Sequence, residues 1–338
     1  MSRLFYIDVI RFLAIFLVTG FHVARFIQFD KLHSFGLIFK NAFINGGWLG
    51  CCLFFLISGY CLCFKYNDNV KYFDFLKNRL IKIIPTYYIA IIIWYFLVKM
   101  GIAPKPIDIS AILTHIFLVH NFDNSNFYSI SGVFWFLGVL FNFYLIFPFL
   151  YKLQSKTKFG LETLALILFV ITVCISSFFN IKTHVLNKSI LINLPCFIFG
   201  MTLYKNQTIN LLKNKIFKFS LLIITIVSFL FAKSFNIAGT PINIIAILES
   251  LLLGTTCIVF KEDLEKIPVA FKNFISEIAI ASYSIYLYNY IFYATKPLYR
   301  NTTVVFIYIL LVFGFGFCMY KLIEKPLNDL INKLRRYS

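Results

Sequence analysis

Acidic residues are scarce in this chain. Asp and Glu number 14 in 338 residues against 32 Lys and Arg, and charged residues of both signs make up only 14% of the sequence. A soluble domain carries about 25%, so the composition excludes an ordinary soluble enzyme. The eight cysteines (Cys51, Cys52, Cys61, Cys63, Cys174, Cys196, Cys257 and Cys318) lack a second Cys/His pair at zinc spacing, so no metal site is expected. They read as small apolar helix residues. No clear small-residue cleavage site follows the first apolar run, which itself carries Asp8, Arg11 and His22, so a removable leader is not expected. Neither a short-period repeat nor a soluble appendage is evident.

Apolar residues make up 60% of the chain, and the mean hydropathy is +0.83. A membrane-spanning helix needs about 20 mostly apolar residues. On that criterion the sequence predicts an all-α integral membrane protein, a bundle of about ten transmembrane helices forming one domain over residues 1–338. The spans are Phe5–Gln28, Asn45–Phe64, Ile83–Val98, Val133–Tyr151, Leu161–Phe179, Ser189–Tyr204, Phe217–Ala232, Pro241–Phe260, Ile278–Thr295 and Thr303–Ile323. The apolar run Ile109–His120 is too short to cross and reads as a re-entrant or surface helix. It lies in the longest stretch between spans, Lys99–Gly132, whose His115 and His120 read as loop residues.

The net charge of +18 would suggest nucleic acid in a soluble protein. Here the cations cluster in short segments between apolar runs, so a lipid bilayer is the expected partner and nucleic acid is not. Counted over alternate loops, 21 Lys and Arg fall on one side and 10 on the other. The basic side faces the cytoplasm, which places both termini there and requires an even number of spans.

The first span carries a polar stripe. Successive helix residues turn by about 100°, which puts Asp8, Arg11, His22 and Arg25 within a sector of roughly 100°. One such stripe on an otherwise apolar helix faces the bundle interior. Asp8 and Arg11 are spaced to pair with each other, and Arg25 is placed to reach the interface. Arg11 and His22 are eleven residues apart, about 16 Å along a regular helix. That separation suits a ligand threading the membrane, anionic at the Arg11 end and reactive toward His22. His22 reads either as a catalytic base or as an interhelical hydrogen-bond donor. Glu249 is isolated within the eighth span, with no evident partner.

At these residues a resemblance emerges. Tyr6-Ile7-Asp8, Arg11-Phe12-Leu13-Ala14, Val18 and His22 resemble the signature of the acyltransferase-3 family of bacterial membrane acyltransferases. Five later segments are similar to that family's motifs, in order: Phe54-Phe55-Leu56-Ile57-Ser58-Gly59-Tyr60; Arg79-Leu80-Ile81-Lys82-Ile83-Ile84-Pro85; Trp135-Phe136-Leu137 with Tyr144-Leu145-Ile146-Phe147-Pro148; Ser282-Tyr283-Ser284-Ile285-Tyr286-Leu287; and Glu324-Lys325-Pro326. The resemblance runs from about Tyr6 to Pro326. It implies a multi-pass protein of the bacterial inner membrane. The activity it implies is transfer of an acyl group, usually acetyl, from acyl-CoA as co-substrate to a hydroxyl of a cell-surface or lipid-linked carbohydrate, with no bound cofactor. His22 would be the general base. Arg11, Arg79 and Lys82 would bind the donor, although the last two also fit ordinary cytoplasmic positive charge.

Ser58, Trp135, Tyr286 and Asn289 are candidates for the acceptor or oxyanion site. Small-residue packing equally accounts for Ser58-Gly59, and interface anchoring for Trp135. Lys82 stands where many members carry Arg, and Asn289 where His is expected. Trp135-Phe136-Leu137 lacks the acidic residue that follows in another branch, and the esterase-like domain of some members is not seen. The rival reading is a transporter or exporter of polysaccharide or lipid-linked sugar, against which the two halves show no matching pair of Gly/Pro-broken helices.

Overall fold

The structure is a computed structural model and describes residues 4–25, 43–44, 46–66, 70–102, 107–156, 160–178, 189–206, 214–235, 242–294 and 302–337. The span ends at 26–28, Asn45, Phe179, Pro241 and Thr295 lie outside these residues. So do Arg3, Lys31, Lys40, Lys105, Lys158, Lys182, Lys188, Lys213, Lys296 and Arg300 among the loop cations.

Runs of apolar residues leave backbone N–H and C=O groups no partner but each other, and the helix is the local way to pair them. The long helices are α1 (Phe5–Arg25), α2 (Trp48–Lys65) and α3 (Tyr72–Lys99). A short α4 (Ile109–Ile116) follows, then α5 (Trp135–Lys156), α6 (Gly160–Phe178), α7 (Ile190–Asn206), α8 (Lys215–Phe235), α9 (Ile242–Val259), α10 (Val269–Tyr288) and α11 (Thr302–Met319). A π-helical turn, Tyr320–Glu324, joins α11 to α12 (Lys325–Tyr337). No strand occurs among the described residues. Among the described residues, four helices are long and apolar enough to cross a membrane: Phe5–Arg25, Tyr72–Lys99, Trp135–Gln154 and Phe306–Arg335. Leu49–Lys65, Gly160–Ile171 and Ile244–Val259 are shorter apolar helices.

The helix α1 is central. Of its apolar stretch 67% is buried, against 11% for Phe306–Arg335, and it packs on α2, α9 and α10. Peripheral helices turn large apolar side chains outward, among them Phe96, Leu166, Val170, Ile224 and Leu310. A surface of this kind suits lipid rather than water. The helices α2 and α7 lie in close contact through Gly59 and Gly200. A Cβ on Gly59 would strike the carbonyl of Phe197, and one on Gly200 the carbonyl of Leu56. Glycine therefore lets the two backbones touch, as small residues do between membrane helices.

Three boundaries differ most from the sequence reading. The ninth apolar run covers Ile278–Thr295, but α10 begins at Val269 and ends at Tyr288. The third apolar run begins at Ile83, but α3 begins at Tyr72. Its 28 residues span about 42 Å, longer than a hydrocarbon core of about 30 Å. The extra turns are amphipathic, burying Phe75 while Phe73 is exposed, so an apolar-run criterion misses them. They carry Arg79 and Lys82 on the helix itself. Likewise the last apolar run ends near Ile323, whereas the helix continues through α12 to Tyr337.

The run Ile109–His120 holds α4 and a 3₁₀ turn, His120–Phe122. Asp108 caps α4, its Oδ1 accepting from Ala111 N at 2.6 Å. One face of this segment is exposed and apolar (Ile109, Leu113, Phe117), while Ala111 and His115 are buried.

Candidate active site

The helices α1 and α10 run parallel in register. Ser276 Oγ donates to Asp8 Oδ2 at 2.9 Å, and fourteen residues further on in both segments the ring of Tyr290, just past the end of α10, meets the ring of His22 edge-on at 5.6 Å. Two members of the stripe expected on α1, Asp8 and His22, thereby meet the same neighbouring segment. The pairing of Asp8 with Arg11 is not what the structure has. Asp8 turns to Ser276, and Arg11 Nη2 points to Cys61 Sγ of α2 at 3.8 Å.

Arg11, Arg79 and Lys82 line one cavity of about 180 Å³, together with Ser58, Cys61, Tyr144, Tyr283, Glu324, Phe54, Phe136 and Tyr286. Three cations from two helices converge there. Arg79 Nη2 donates to the Tyr66 hydroxyl at 3.4 Å. Its guanidinium lies 5.7 Å from the ring centres of both Tyr66 and Phe75. Two aromatic faces thus hold the planar fork in place.

Glu324 is the residue that sequence reasoning left without a role. The π turn places it inside the cavity, buried, where its Oε2 accepts from Ser284 Oγ at 2.6 Å. The Glu324-Lys325-Pro326 motif was its only signal. Nothing in the spacing indicated a π turn, a device that recurs at functional sites.

His22 sits at the other end of the stripe, half-buried, with its Nδ1 buried. Tyr290 is held beside it by the ring of Trp94, 6.3 Å away, and by Gly132, whose missing side chain leaves room for the tyrosine ring.

The four acceptor or oxyanion candidates separate. Ser58 and Tyr286 line the cavity. The Tyr286 hydroxyl is already used, donating to the Val133 carbonyl at 2.6 Å. Trp135 is only 4% exposed and packs on Phe55 and Phe136, so its ring is a core element rather than a free platform. Asn289 is 1% exposed, and its amide makes no hydrogen bond among the described residues. It does not line the cavity. Glu249 is buried away from it as well. Among the described residues no cluster of three potential metal ligands occurs.

His115 and His120 are not loop residues at a surface. Both are fully buried and stack at 3.8 Å with rings 10° apart. Ser129 Oγ gives its proton to the Asn126 carbonyl, so His115 Nε2–H donates to Ser129 Oγ at 3.2 Å and Nδ1 accepts from the Tyr87 hydroxyl at 2.8 Å. His120 Nε2–H donates to the Phe134 carbonyl at 3.1 Å, and Asn121 Nδ2 to the Trp135 carbonyl at 2.7 Å. These bonds fix the start of α5, and with it the Val133 carbonyl that holds Tyr286.

Burial pushes His115 well below its usual pKa and His120 down to about 4, so both stay neutral at pH 7. Below pH 6.5 the unfolded chain takes up a proton that the folded His120 refuses. Stability is therefore complete above about pH 6.5 and falls as pH drops toward 4, by about 3 kcal/mol for His120 alone. Thermal unfolding of the solubilised protein between pH 7.5 and 4.5 should show this loss. The slope should flatten in His120→Gln, and an unchanged slope would contradict the assignment.

An apolar-sided helical bundle, whose central helix carries one of three cations lining a cavity and, further along, a half-buried histidine, has the surface of a membrane protein. The family model for acyltransferase-3, described as an acyltransferase domain, matches residues 4–323, and the chain belongs to that family. It is a membrane acyltransferase. No curated protein and no solved structure matched the chain.

Proposed function

We propose that this enzyme moves an acyl group, acetyl by preference, from acyl-CoA to a hydroxyl of a cell-surface or lipid-linked carbohydrate. The observation that carries the proposal is the convergence of Arg11, Arg79 and Lys82 on one cavity, with His22 on the same helix as Arg11. Three cations from two helices suit the phosphates of CoA. The cavity is smaller than a typical ligand site of ~300–1,000 Å³. A cavity of this size takes only part of CoA, with the phosphates against the three cations and the pantetheine arm running on from them.

His22 takes the proton of the acceptor hydroxyl. The hydroxyl oxygen then bonds to the thioester carbonyl carbon, the C–S bond breaks, and the CoA sulfur leaves with the proton returned from the imidazolium. The products are an ester and CoA thiol. The sum is balanced without metal or redox partner. Given acetyl-CoA, the purified protein should release CoA thiol slowly with water and faster with a suitable carbohydrate. A protein that moved sugar across vesicle membranes and left acetyl-CoA intact would instead be the exporter.

The reading includes ten spans in the inner membrane of a bacterium, with both termini in the cytoplasm, where acyl-CoA is available. The asymmetry of 21 against 10 loop cations supports this orientation. A reporter enzyme fused after Ser338 should be active inside the cell. Activity only outside would overturn the topology.

A further inference from the structure

Three rings meet in the lining of the cavity. Phe54 of α2, Phe136 of α5 and Tyr286 of α10 all line it and pack on one another, with centroids 6.0, 6.2 and 5.0 Å apart. Their level within the bundle follows from two independent counts. Phe54 lies seven residues along α2 from Cys61, which touches Arg11, so it stands about 10 Å beyond Arg11. Tyr286 lies four residues before Tyr290, which touches His22; Asn289, just past the end of α10, keeps helical backbone angles, so Tyr286 stands about 6 Å short of His22. The two add to the separation of about 16 Å between Arg11 and His22 on α1. The rings therefore stand at a level between the cations and the histidine.

The wall is backed. The Tyr286 hydroxyl is bonded to the Val133 carbonyl at 2.6 Å. Phe136 is stacked on the fully buried Phe55 at 4.5 Å, 21° from parallel, and Phe55 rests in turn on Phe143 at 5.0 Å. Tyr286 and Phe136 thus cannot retreat without disturbing the core, where lost volume is felt strongly. Phe54 is half-buried and is the ring with room to change. Helical side chains lean toward the N-terminus of their helix, which brings the His22 imidazole back along α1 toward the rings. A thioester carbonyl presented to a hydroxyl at His22 must then stop at the ring edges, and whatever lies beyond the carbonyl must fit against their faces.

We propose that Phe54, Phe136 and Tyr286 set the acyl chain length, admitting an acetyl-sized group and refusing medium and long chains. This rests on the acyl-CoA reading above and adds the residues that choose the acyl group. The chemistry of transfer is unchanged, since the wall selects the chain and takes no part in bond making.

The experiment compares kcat/KM for acetyl-CoA and octanoyl-CoA by thiol release, in the wild-type protein and in Phe54→Ala, Phe54→Leu and Phe136→Leu. Wild type should favour acetyl-CoA. Each extra methylene in an apolar pocket changes discrimination by about 10- to 200-fold, so opening the wall should raise the octanoyl-to-acetyl ratio by at least about tenfold. The Leu variants keep apolar bulk and guard against a fold lost to Ala. Wild-type protein that already uses octanoyl-CoA as well as acetyl-CoA would overturn the proposal. So would an unchanged ratio in a variant that still turns over acetyl-CoA. Wild-type protein that releases thiol from neither substrate would overturn the donor reading itself, and the length gauge with it.

Discussion

His22→Ala should abolish acyl transfer while leaving the protein inserted and folded. Loss of a general base costs about 10²–10⁴-fold in rate. A role confined to interhelical hydrogen bonding predicts a different result, because such a bond contributes only about 0.6 kcal/mol on average, too little to unfold a bundle of this size. The site's geometry sharpens the contrast. His22 is half-buried and flanked edge-on by Phe21 at 5.4 Å and Tyr290 at 5.6 Å. Its replacement trims the end of the stripe and leaves the Asp8–Ser276 anchor intact. A folded His22→Ala protein that acylates its acceptor near the wild-type rate would remove His22 from the chemistry.

Arg11→Ala should weaken donor binding by about 10- to 100-fold, from 1.5–3 kcal/mol for a hydrogen bond to a charged group. Arg11→Lys should fall between, because Lys keeps the charge and loses the planar fork. Folding should survive, since Asp8 is held by Ser276 and is not left as a buried carboxylate without a partner. Affinity for a non-hydrolysable CoA analogue, measured on protein whose thermal unfolding is unchanged, separates the two effects. Unaltered affinity in folded Arg11→Ala would move the donor site elsewhere.

Much of this arrangement was legible in the sequence. The spacing of Asp8, Arg11 and His22 places them on one face of α1, and on that face Asp8 meets Ser276 of α10 and His22 meets Tyr290 just beyond it. The order of short motifs indicated the family. What stayed hidden depends on contacts between distant segments. Arg79 and Lys82 reach the cavity because α3 starts eleven residues before its apolar run, on an amphipathic stretch that hydropathy does not register. Glu324 turns inward through a π turn that no periodicity announces. His115 and His120 read as loop residues because their burial comes from Tyr87, Ser129 and Phe134, 14 to 28 residues from their bonded partners and outside any local helical period. The separation of Asp8 from Arg11 followed the same rule. Local spacing allowed the pair, and a partner 268 residues away took one member of it.

The most direct measurement is CoA release from acetyl-CoA by the purified protein, with and without a carbohydrate acceptor, in wild type and in His22→Gln. Gln keeps hydrogen bonding and cannot take the proton at neutral pH. The account predicts acceptor-stimulated release in wild type and a loss of that stimulation by about 10²–10⁴-fold in His22→Gln. Equal acceptor-dependent rates in the two proteins would contradict it.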